Sequence, residues 1–307
     1  MAGVVAVTGA GGFIGSAAVR ALHADGWRVR AAVWPPGQPA FALPQNIEAT
    51  SFDIEDRSAL DAFVRGTDAV VHAAGPPSVA ASIVNPFECI RVHTLGTAAV
   101  LDACRQHGVA NVVYISSAEV YGVPARDLVR EDDPLRPRSP YGAAKGAAEL
   151  FMHAFAHTYQ ISGYILRLFS VYGRGASSGS LVDSITTQAR SSDEIIVNDC
   201  KPVRDYCYID DVAAAIACAS RTVPQGVVDL NIATGTGTSV EELARQAARI
   251  AGRAAIVRER DGAKRSPNVE IYRLVADVSK SARLLNWKAC YDIERGLRAM
   301  MQTETVA

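Results

Sequence analysis

Short apolar runs alternate with longer amphipathic segments from the N-terminus to Tyr172. The apolar runs, rich in Val, Ile and Ala, predict strands at residues 4–8, 27–33, 69–74, 112–116 and 163–169. The amphipathic segments predict helices at residues 13–24, 56–65, 86–107 and 141–159, with Gly108 just past the end of the third. Alternating strands and helices are typical of βαβ units, which place parallel strands side by side. The pattern therefore predicts an α/β fold, a doubly wound parallel sheet with helices on both faces.

Beyond Tyr172 this alternation is lost. Residues 173–179 are rich in Gly and Ser and predict a loop over a site, and the segments that follow mix helical and strand-like patterns. A length of 307 residues suits two domains of ordinary size. We expect residues 1–172, with a return segment near 205–232, to form the larger domain. Residues 173–204 and 233–307 are expected to form a smaller C-terminal domain.

Charge and composition exclude several classes of protein. The chain carries 31 basic and 32 acidic residues, whereas surfaces that bind nucleic acid or anionic membranes need an excess of Lys and Arg. No apolar run approaches the ~20 residues of a membrane-spanning helix. The N-terminus leads directly into an apolar strand, without a signal sequence. We therefore expect a cytoplasmic protein with no nucleic-acid or membrane partner.

The six cysteines are scattered over positions 89, 104, 200, 207, 218 and 290. They form no Cys-x-x-Cys pair and have no His partner at the spacing of metal ligands. We expect reduced, mostly buried thiols and no metal site.

A glycine-rich turn joins the first predicted strand to the first predicted helix. Gly9, Gly12 and Gly15 lie three residues apart, and Phe13 and Ile14 complete the turn. The first glycine permits a tight turn, the second lets backbone N–H groups approach a pyrophosphate, and the third lets helix and strand pack closely. Between a strand and a helix, this spacing predicts a dinucleotide-binding site.

The end of the second predicted strand bears on which dinucleotide is bound. An acidic residue there usually binds the ribose hydroxyls of NAD, and a nearby Arg accommodates the 2′-phosphate of NADP. This chain has Val33 and Trp34 at that place, while Arg28 and Arg30 lie upstream in the strand. Farther on, Asp53 either accepts the adenine amino group or belongs to a surface loop. The sequence leaves NAD and NADP both open.

Further motifs follow in order along nearly the whole chain: Val71-His-Ala-Ala-Gly75, Ser116-Ser-Ala-Glu-Val-Tyr-Gly122, Ser139-Pro-Tyr-Gly-Ala-Ala-Lys145, Arg167-Leu-Phe-Ser-Val-Tyr-Gly173, Arg204-Asp-Tyr-Cys-Tyr-Ile-Asp-Asp-Val212, Asn231-Ile-Ala-Thr-Gly235 and Asp277-Val-Ser-Lys280. With the glycine turn, they resemble the extended short-chain dehydrogenases/reductases, in the group of nucleotide-sugar epimerases and dehydratases. The resemblance implies a Rossmann-type domain that binds a nicotinamide cofactor and a smaller C-terminal domain that binds a nucleotide-diphosphate sugar. It also implies a homodimer formed through the helices at residues 86–107 and 141–159.

The same resemblance assigns roles to individual residues. It implies a catalytic set of Ser117, Tyr141 and Lys145. It implies cofactor contacts from the glycine turn, Asp53, Ile54, Ala73, Ala74, Tyr141 and Lys145, and substrate contacts from Val79, Ser117, Ser170, Arg204 and Arg265.

Two substitutions depart from the family's pattern. His93 stands in the helix where an Asn is usual, and Ser170 replaces the Asn that the resemblance places against the phosphates of the sugar nucleotide. Arg204 is the best candidate for those phosphates, because a guanidinium fork matches phosphate oxygens. Arg265 either assists it or is a solvated surface charge.

Tyr141 and Lys145 lie four residues apart, so on a helix they share one face. A free tyrosine has a pKa near 10 and is a poor base at neutral pH. We expect the Lys145 ammonium and an oxidised nicotinamide to lower the pKa of Tyr141. The family's chemistry then has Tyr141 remove a hydroxyl proton while hydride passes to the nicotinamide, with Ser117 hydrogen-bonded to the same hydroxyl.

The resulting 4-keto sugar has three fates in this group: return of hydride to the other face, elimination of the 6-hydroxyl after loss of the C5 proton, or decarboxylation of a uronic acid. Dehydratases of this type place a Glu at position 119, often after an Asp that is Ala118 here. Glu119 is therefore either the base of a dehydratase or decarboxylase, or a structural residue of an epimerase. Ala118 and Ser170 favour a 4-epimerase.

Two other interpretations stay open. An NADPH-dependent reductase of 4-keto sugars is consistent with the missing acidic ribose ligand. A non-catalytic regulator that senses the cofactor would use the same fold, although the presence of Ser117, Tyr141 and Lys145 argues against it.

Overall fold

The computed structural model describes residues 3–36, 41–176, 179–262, 266 and 268–302. Its strands are β1 (Val4–Thr8), β2 (Arg28–Val33), β3 (Glu48–Ser51), β4 (Ala69–His72), β5 (Asn111–Ser117), β6 (Ser162–Leu168), β7 (Ser170–Tyr172), β8 (Glu194–Val197), β9 (Val203–Tyr208), β10 (Val227–Ile232), β11 (Gly237–Ser239), β12 (Ile256–Glu259) and β13 (Arg273–Leu274). Within the described ranges, seven of these strands form one sheet in the order β10-β6-β5-β4-β1-β2-β3. All neighbours in it are parallel.

The helices are α1 (Phe13–Ala24), α2 (Arg57–Val64), α3 (Val79–Val84), α4 (Pro86–Ile90), α5 (Thr97–His107), α6 (Pro140–Tyr159), α7 (Leu181–Ser191), α8 (Ile209–Arg221), α9 (Val240–Ile250), α10 (Ser279–Leu285) and α11 (Ile293–Met301). A π-helical turn at Arg91–Gly96 joins α4 to α5, and a 3₁₀ turn at Ala118–Val120 follows β5.

The central sheet is buried on both faces, which explains its nearly continuous apolar strands. One face packs against α1 and α8 through Val19, Leu22 and Ile216. The opposite face packs against α2, α5 and α6 through Leu60 and Met152. The predicted α/β fold with a doubly wound parallel sheet is therefore confirmed.

The order of the strands positions the site. The chain builds β1, β2 and β3 outward in one direction, then returns to add β4 on the other side of β1. The crossover connections on the two sides of β1 leave a crevice at the carboxyl ends of β1 and β4, where such folds bind ligands. Thr8 and His72, the last residues of the two strands, lie side by side at this crevice.

The C-terminal part forms smaller sheets. In the second sheet, β9 pairs with β7 and β13 in parallel and with β11 antiparallel, while β8 and β12 form a separate parallel pair. A third apolar cluster joins these strands to α7, α9 and α11 through Ile185, Leu243 and Leu297. β10 leaves this region to become an edge strand of the central sheet. It lies within the return segment expected near 205–232, while the division into two domains stays a prediction.

Most predicted elements agree with the structure, and the differences have physical causes. The helix predicted at residues 86–107 contains the π-helical turn, and Gly108 ends it with a φ of 67°. β3 and α3 were not predicted. All four residues of β3 are exposed, so the strand shows no alternation of apolar and polar positions. α3 has 6 residues, too few to show the apolar period of a helix.

Candidate active site

The glycine turn between β1 and α1 is tight because its backbone folds onto itself. Gly9 has a φ of 68°, and its carbonyl accepts a hydrogen bond from the Gly12 N–H at 3.0 Å. A Cβ atom at Gly15 would lie 2.1 Å from the Gly9 carbonyl oxygen, so helix and turn can approach this closely only with glycine there. A Cβ atom at Gly12 would meet only that oxygen, at 3.3 Å. The surface at Gly12 is therefore bare backbone at the start of α1.

A cavity of about 440 Å³ opens above this turn. The residues predicted to bind the cofactor that line it are Gly9, Gly12, Phe13, Ile14, Gly15, Asp53, Ile54, Ala73 and Ala74. The start of a helix and its free N–H groups suit a pyrophosphate, and an adjoining apolar cleft suits an adenosine. The donor set and the bare backbone at Gly12 fit a dinucleotide.

Several lining residues were not predicted, namely Trp34, Gly75, Pro76, Pro77, Glu88, Arg91 and Val92. Gly75 is the last residue of the Val71–Gly75 motif, and Pro76 and Pro77 follow it directly, so the motif could have indicated them. Glu88 and Arg91 come from α4 and the π-helical turn, and no motif marks them.

Ser139, Pro140 and the start of α6 place the predicted catalytic pair. The Ser139 hydroxyl accepts a hydrogen bond from the Gly142 N–H, and Pro140 occupies the first turn, where its missing N–H costs nothing. The Tyr141 N–H donates to the Ser82 hydroxyl at 3.2 Å. Nζ of Lys145 donates to the carbonyl of Ile115 at 2.7 Å, which ties the helix to β5.

Ser117, Tyr141 and Lys145 come together as expected. The Tyr141 side chain is hydrogen-bonded to Ser117, and Nζ of Lys145 lies 6.0 Å from the centre of the Tyr141 ring. The arrangement places a hydroxyl donor, a phenol and an amine on one wall at the end of β5.

Burial shifts the protonation equilibria of Tyr141 and Lys145 in the ligand-free protein. Burial raises the pKa of Tyr141 to about 12, against the opposing effect of the Ser117 hydrogen bond. Burial also lowers the pKa of Lys145 to about 7. In the ligand-free protein both groups are therefore shifted toward their uncharged forms. The expected lowering of the Tyr141 pKa involves an oxidised nicotinamide as well as Lys145, and it stays a prediction for the cofactor-bound protein.

Two buried histidines lie near Lys145, and one of them contacts Tyr141. The His93 ring stands edge-on to Tyr141 with ring centres 5.4 Å apart, and its Nε2 lies 3.0 Å from the carbonyl oxygen of Pro76. His72 links Thr8 at 2.7 Å to Thr97 at 3.1 Å. Burial lowers the pKa of His93 to about 2 and that of His72 to about 3, so both are neutral at pH 7. These residues position the walls of the site and hold no catalytic proton.

Glu119 lies close enough to Tyr141 for its charge to raise the pKa of the phenol. It follows Ser117 in the 3₁₀ turn, where its N–H donates to the Ser117 hydroxyl at 3.2 Å. The residue before it, Ala118, is buried and apolar. One carboxylate, rather than an acid and a base side by side, therefore stands at this position.

The predicted substrate residues come from several different elements. Val79 begins α3 and Ser170 begins β7, where it pairs with Tyr206 of β9. Arg204 lies in β9 and forms an ion pair with Glu270, with Nη2 and Oε1 separated by 2.7 Å. Arg265 lies outside the described residues. The structure thus brings Arg204 together with a carboxylate that the motifs do not indicate.

The sequence did not predict a cluster of buried charges that lies near the end of β5. Arg167 of β6 is bound by Glu149 of α6, by Asp229 of β10 and by the Tyr121 hydroxyl, and Glu149 also accepts the Ser116 hydroxyl at 2.5 Å. Each buried charge has a partner, which is the condition for keeping it inside. The cluster fixes the end of β5, from which Ser117 projects.

The described residues contain neither a candidate metal site nor a candidate membrane-spanning helix. They contain no group of three or more His, Cys, Asp or Glu side chains that could hold a metal ion. None of the helices described has both the length and the apolar composition needed to cross a bilayer.

Comparisons with known proteins agree with this geometry. The profile of the NAD-dependent epimerase/dehydratase family matches residues 5–233. A putative UDP-glucose 4-epimerase of Methanocaldococcus jannaschii is 30% identical over 97% of this chain and 97% of its own length. A dTDP-glucose 4,6-dehydratase of Streptomyces griseus is 30% identical over 95% of this chain and 91% of its own length. The solved structure of MoeE5 in complex with UDP-glucuronic acid and NAD matches 97% of this chain and 98% of that chain, with 30% identity and a TM-score of 0.86.

Proposed function

Because the chain belongs to the NAD-dependent epimerase/dehydratase family, and is therefore an enzyme that works with NAD on nucleotide sugars, we propose that it is a 4-epimerase of a UDP-sugar. The observation that carries the proposal is the contact of Ser117 with Tyr141 beside a single carboxylate. A 4-epimerase needs one group that moves the C4 hydroxyl proton in both directions, and Tyr141 supplies it.

Ser117 and Tyr141 carry out the transfer of the hydroxyl proton. Ser117 holds the C4 hydroxyl of the sugar against the Tyr141 oxygen, and Tyr141 takes the hydroxyl proton and later returns it. A charged Lys145 and a bound cationic ring both favour the phenolate, which offsets the burial that otherwise keeps Tyr141 protonated. NAD, when bound, accepts the hydride from C4 and gives it back.

Return of the hydride to the opposite face requires the keto sugar to turn inside the site while its nucleotide stays bound. We assign the phosphates to Arg204, whose guanidinium fork suits a diphosphate. Its pairing with Glu270 holds the side chain in one orientation at the start of β9. UDP is proposed as the nucleotide because UDP-sugars appear in the names of several relatives.

The test is product analysis by proton NMR in D₂O, with UDP-glucose, UDP-galactose, UDP-glucuronic acid and dTDP-glucose and no added cofactor. We expect the 4-epimer of a UDP-sugar, with no deuterium at C5 and no net formation of NADH. A 4-keto-6-deoxy product carrying deuterium would identify a dehydratase. Turnover only with added NADPH and a 4-keto sugar would identify a reductase. Binding of NAD without turnover of any substrate would favour the regulator.

A 4,6-dehydratase is the second candidate, because Glu119 lies beside Tyr141 and acts on its pKa. A carboxylate there could remove a C5 proton from the keto sugar. The buried Ala118 leaves the neighbouring position without an acid for the departing hydroxyl, and this favours the epimerase.

We also propose a homodimer in the cytoplasm. Apolar side chains remain exposed on the α3–α4 segment and on α6, with Phe87 75% and Leu150 66% accessible. A patch of this kind suits a second copy of the chain. Sedimentation at micromolar concentration should show a dimer, and Phe87→Glu should shift it to monomer. The six cysteines are free thiols, consistent with a reducing compartment.

A further inference from the structure

Glu149 lies one helical turn after Lys145 on α6, so the two side chains share one face of the helix. Nζ of Lys145 donates to the carbonyl of Ile115, with 2.7 Å between the two atoms. The Ser116 hydroxyl donates to Oε1 of Glu149 at 2.5 Å. The amine and the carboxylate thus bind consecutive residues of β5, directly before Ser117.

Glu149 is a buried carboxylate whose charge is paired. Nε and Nη2 of Arg167 donate to its two oxygens at 2.8–3.2 Å. Arg167 also donates to Asp229 at 2.9 Å and to the Tyr121 hydroxyl at 2.9 Å. One guanidinium therefore faces two carboxylates, which leaves an excess of negative charge in the cluster. His153, hydrogen-bonded to Asp229 at 3.0 Å, offsets this excess only when it is protonated.

Two groups near Lys145 can carry a negative charge that favours its ammonium form. Burial lowers the pKa of Lys145 to about 7, against the opposing effects of Cys89 and Glu149. Burial also raises the pKa of the Cys89 thiol, so this group of α4 is neutral at pH 7. Near neutral pH the opposing charge therefore comes from Glu149.

The other titratable groups around Lys145 are uncharged at pH 7. Burial lowers the pKa of His72 to about 3 and that of His93 to about 2. Tyr114 of β5 presents its ring to Nζ of Lys145, with 5.0 Å between Nζ and the ring centre, and burial raises its pKa. Burial raises the pKa of Tyr141 to about 12 as well. These four groups supply no charge that could replace the carboxylate.

We propose that Glu149 is a positioning residue of the reaction, which keeps Lys145 charged beside Tyr141. A charged Lys145 favours the phenolate of Tyr141, and an opposite charge held close by favours the charged form of a buried amine. The carboxylate that acts on Tyr141 itself is Glu119, so Glu149 works through Lys145. The inference rests on the proposed function, because it takes Tyr141 as the base.

The test is a pH titration, followed by NMR, of the full chain free of nucleotide and labelled with ¹³C at lysine. The chain has five lysines, which stand at positions 145, 201, 264, 280 and 288. The Lys145 signal is assigned by its loss in Lys145→Met. In the wild type this signal should titrate with a midpoint of about 7. In Glu149→Gln the midpoint should fall by about one pH unit or more, because a nearby opposite charge has an effect of that size.

Glu149→Gln removes the charge with little change of shape. The amide oxygen still accepts the Ser116 hydroxyl, and Arg167 keeps Asp229 as its ionic partner. Asp229→Asn is the matched control, because it neutralises the other carboxylate bound to Arg167, on β10. This control should leave the Lys145 midpoint in place.

A second measurement connects the charge to the reaction. The kcat/KM of Glu149→Gln relative to wild type should fall about fivefold between pH 6 and pH 9, because the variant loses the Lys145 charge at a lower pH. A residue that only supports the fold would lower this ratio equally at every pH. Ser116→Ala removes the hydrogen bond and keeps the carboxylate, so it should show such a constant ratio and an unchanged Lys145 midpoint.

Glu149→Gln/Arg167→Met removes both members of the ion pair and leaves no buried charge of that pair behind, so it repeats the test if the single variant folds poorly. A Lys145 midpoint that stays in place in both variants would overturn the inference, and so would a kcat/KM ratio that does not vary with pH. A lowered midpoint without turnover of any UDP-sugar would leave the effect of Glu149 on Lys145 standing and overturn the proposed function instead.

Discussion

Nζ of Lys145 lies 6.0 Å from the ring centre of Tyr141, and burial moves the two side chains toward their uncharged forms. With a pKa of about 7 for the lysine and about 12 for the tyrosine, the pair is neutral over most of the alkaline range. Spacing on a helix brings such a pair together, but the surrounding apolar wall decides its charge. The charge that activates Tyr141 must therefore be supplied when ligands bind.

The buried amine should make stability depend on pH. Lys145 has a pKa lowered from 10.5 to about 7, so the unfolded chain binds more protons than the folded one between these values. The free-energy cost of burying the charged Lys145 side chain is full below pH 7 and vanishes as pH rises toward 10.5. Lys145→Met should raise the free energy of unfolding of the ligand-free protein by about 4 kcal/mol at most at pH 7, with a shrinking gain toward pH 9.5.

Urea unfolding at several pH values measures this difference. The exposed Lys288 provides the matched control, because Lys288→Met should show no such trend. A difference between Lys145→Met and wild type that does not vary with pH would contradict the assigned burial of charge.

Tyr141→Phe should lower kcat by about 10²–10⁴-fold, because proton transfer is lost while the ring still fills its place. KM should change little, since the phenol contributes to the reaction more than to ground-state binding. Tyr159→Phe, at the exposed end of the same helix, is the control and should keep full turnover. Steady-state kinetics that leave the kcat of Tyr141→Phe unchanged would remove Tyr141 from the mechanism.

Glu119→Gln separates the two candidate reactions. In a 4-epimerase the variant should retain most of its turnover and never exchange the C5 hydrogen, because that step needs no second base. In a dehydratase the cofactor would still be reduced on addition of substrate, but the keto sugar would accumulate, since an amide cannot take the C5 proton. Absorbance of the reduced cofactor and deuterium incorporation at C5 measure the outcome. Lost turnover with accumulating reduced cofactor would refute the 4-epimerase.

Substitutions at Gly12 and Gly15 should have different effects, one on cofactor binding and the other on stability. Gly12→Val projects a branched side chain into the cavity, so the protein should fold but purify without NAD. Gly15→Ala forces a Cβ to within 2.1 Å of the Gly9 carbonyl, so it should lower the melting temperature. Nucleotide extraction and thermal unfolding measure both. Stoichiometric NAD in Gly12→Val would show that the pyrophosphate lies elsewhere.

The elements that the sequence predicts best are those with local signals at both ends. α1 begins directly after Gly12 and ends before Asp25 and Gly26, and the predicted and observed bounds coincide. The π-helical turn Arg91–Gly96 leaves no such trace, because the apolar period continues through it. β3 has no buried residue and therefore no pattern to detect.

Some residues of the candidate site could likewise be predicted from local patterns, and others could not. Motifs indicated the glycine turn and the catalytic trio, since these depend on short spacings and local geometry. The pairing of Arg204 with Glu270, 66 residues apart, and that of Arg91 with Glu55 depend on how distant segments meet. The pKa of Tyr141 also depends on the burial that surrounding segments impose, which a short spacing does not describe.

β10 is an outer strand of the central sheet but comes from the C-terminal half of the chain, and its Asp229 pairs with Arg167 of β6. Gene shuffling among relatives is constrained by this arrangement. A crossover between residues 172 and 227 would join β6 from one parent to β10 from another, so both charge partners must be inherited together. A chimaera that exchanges only residues 173–204 and 233–307 keeps β6 and β10 from one parent, and with them the pairing of Arg167 with Asp229.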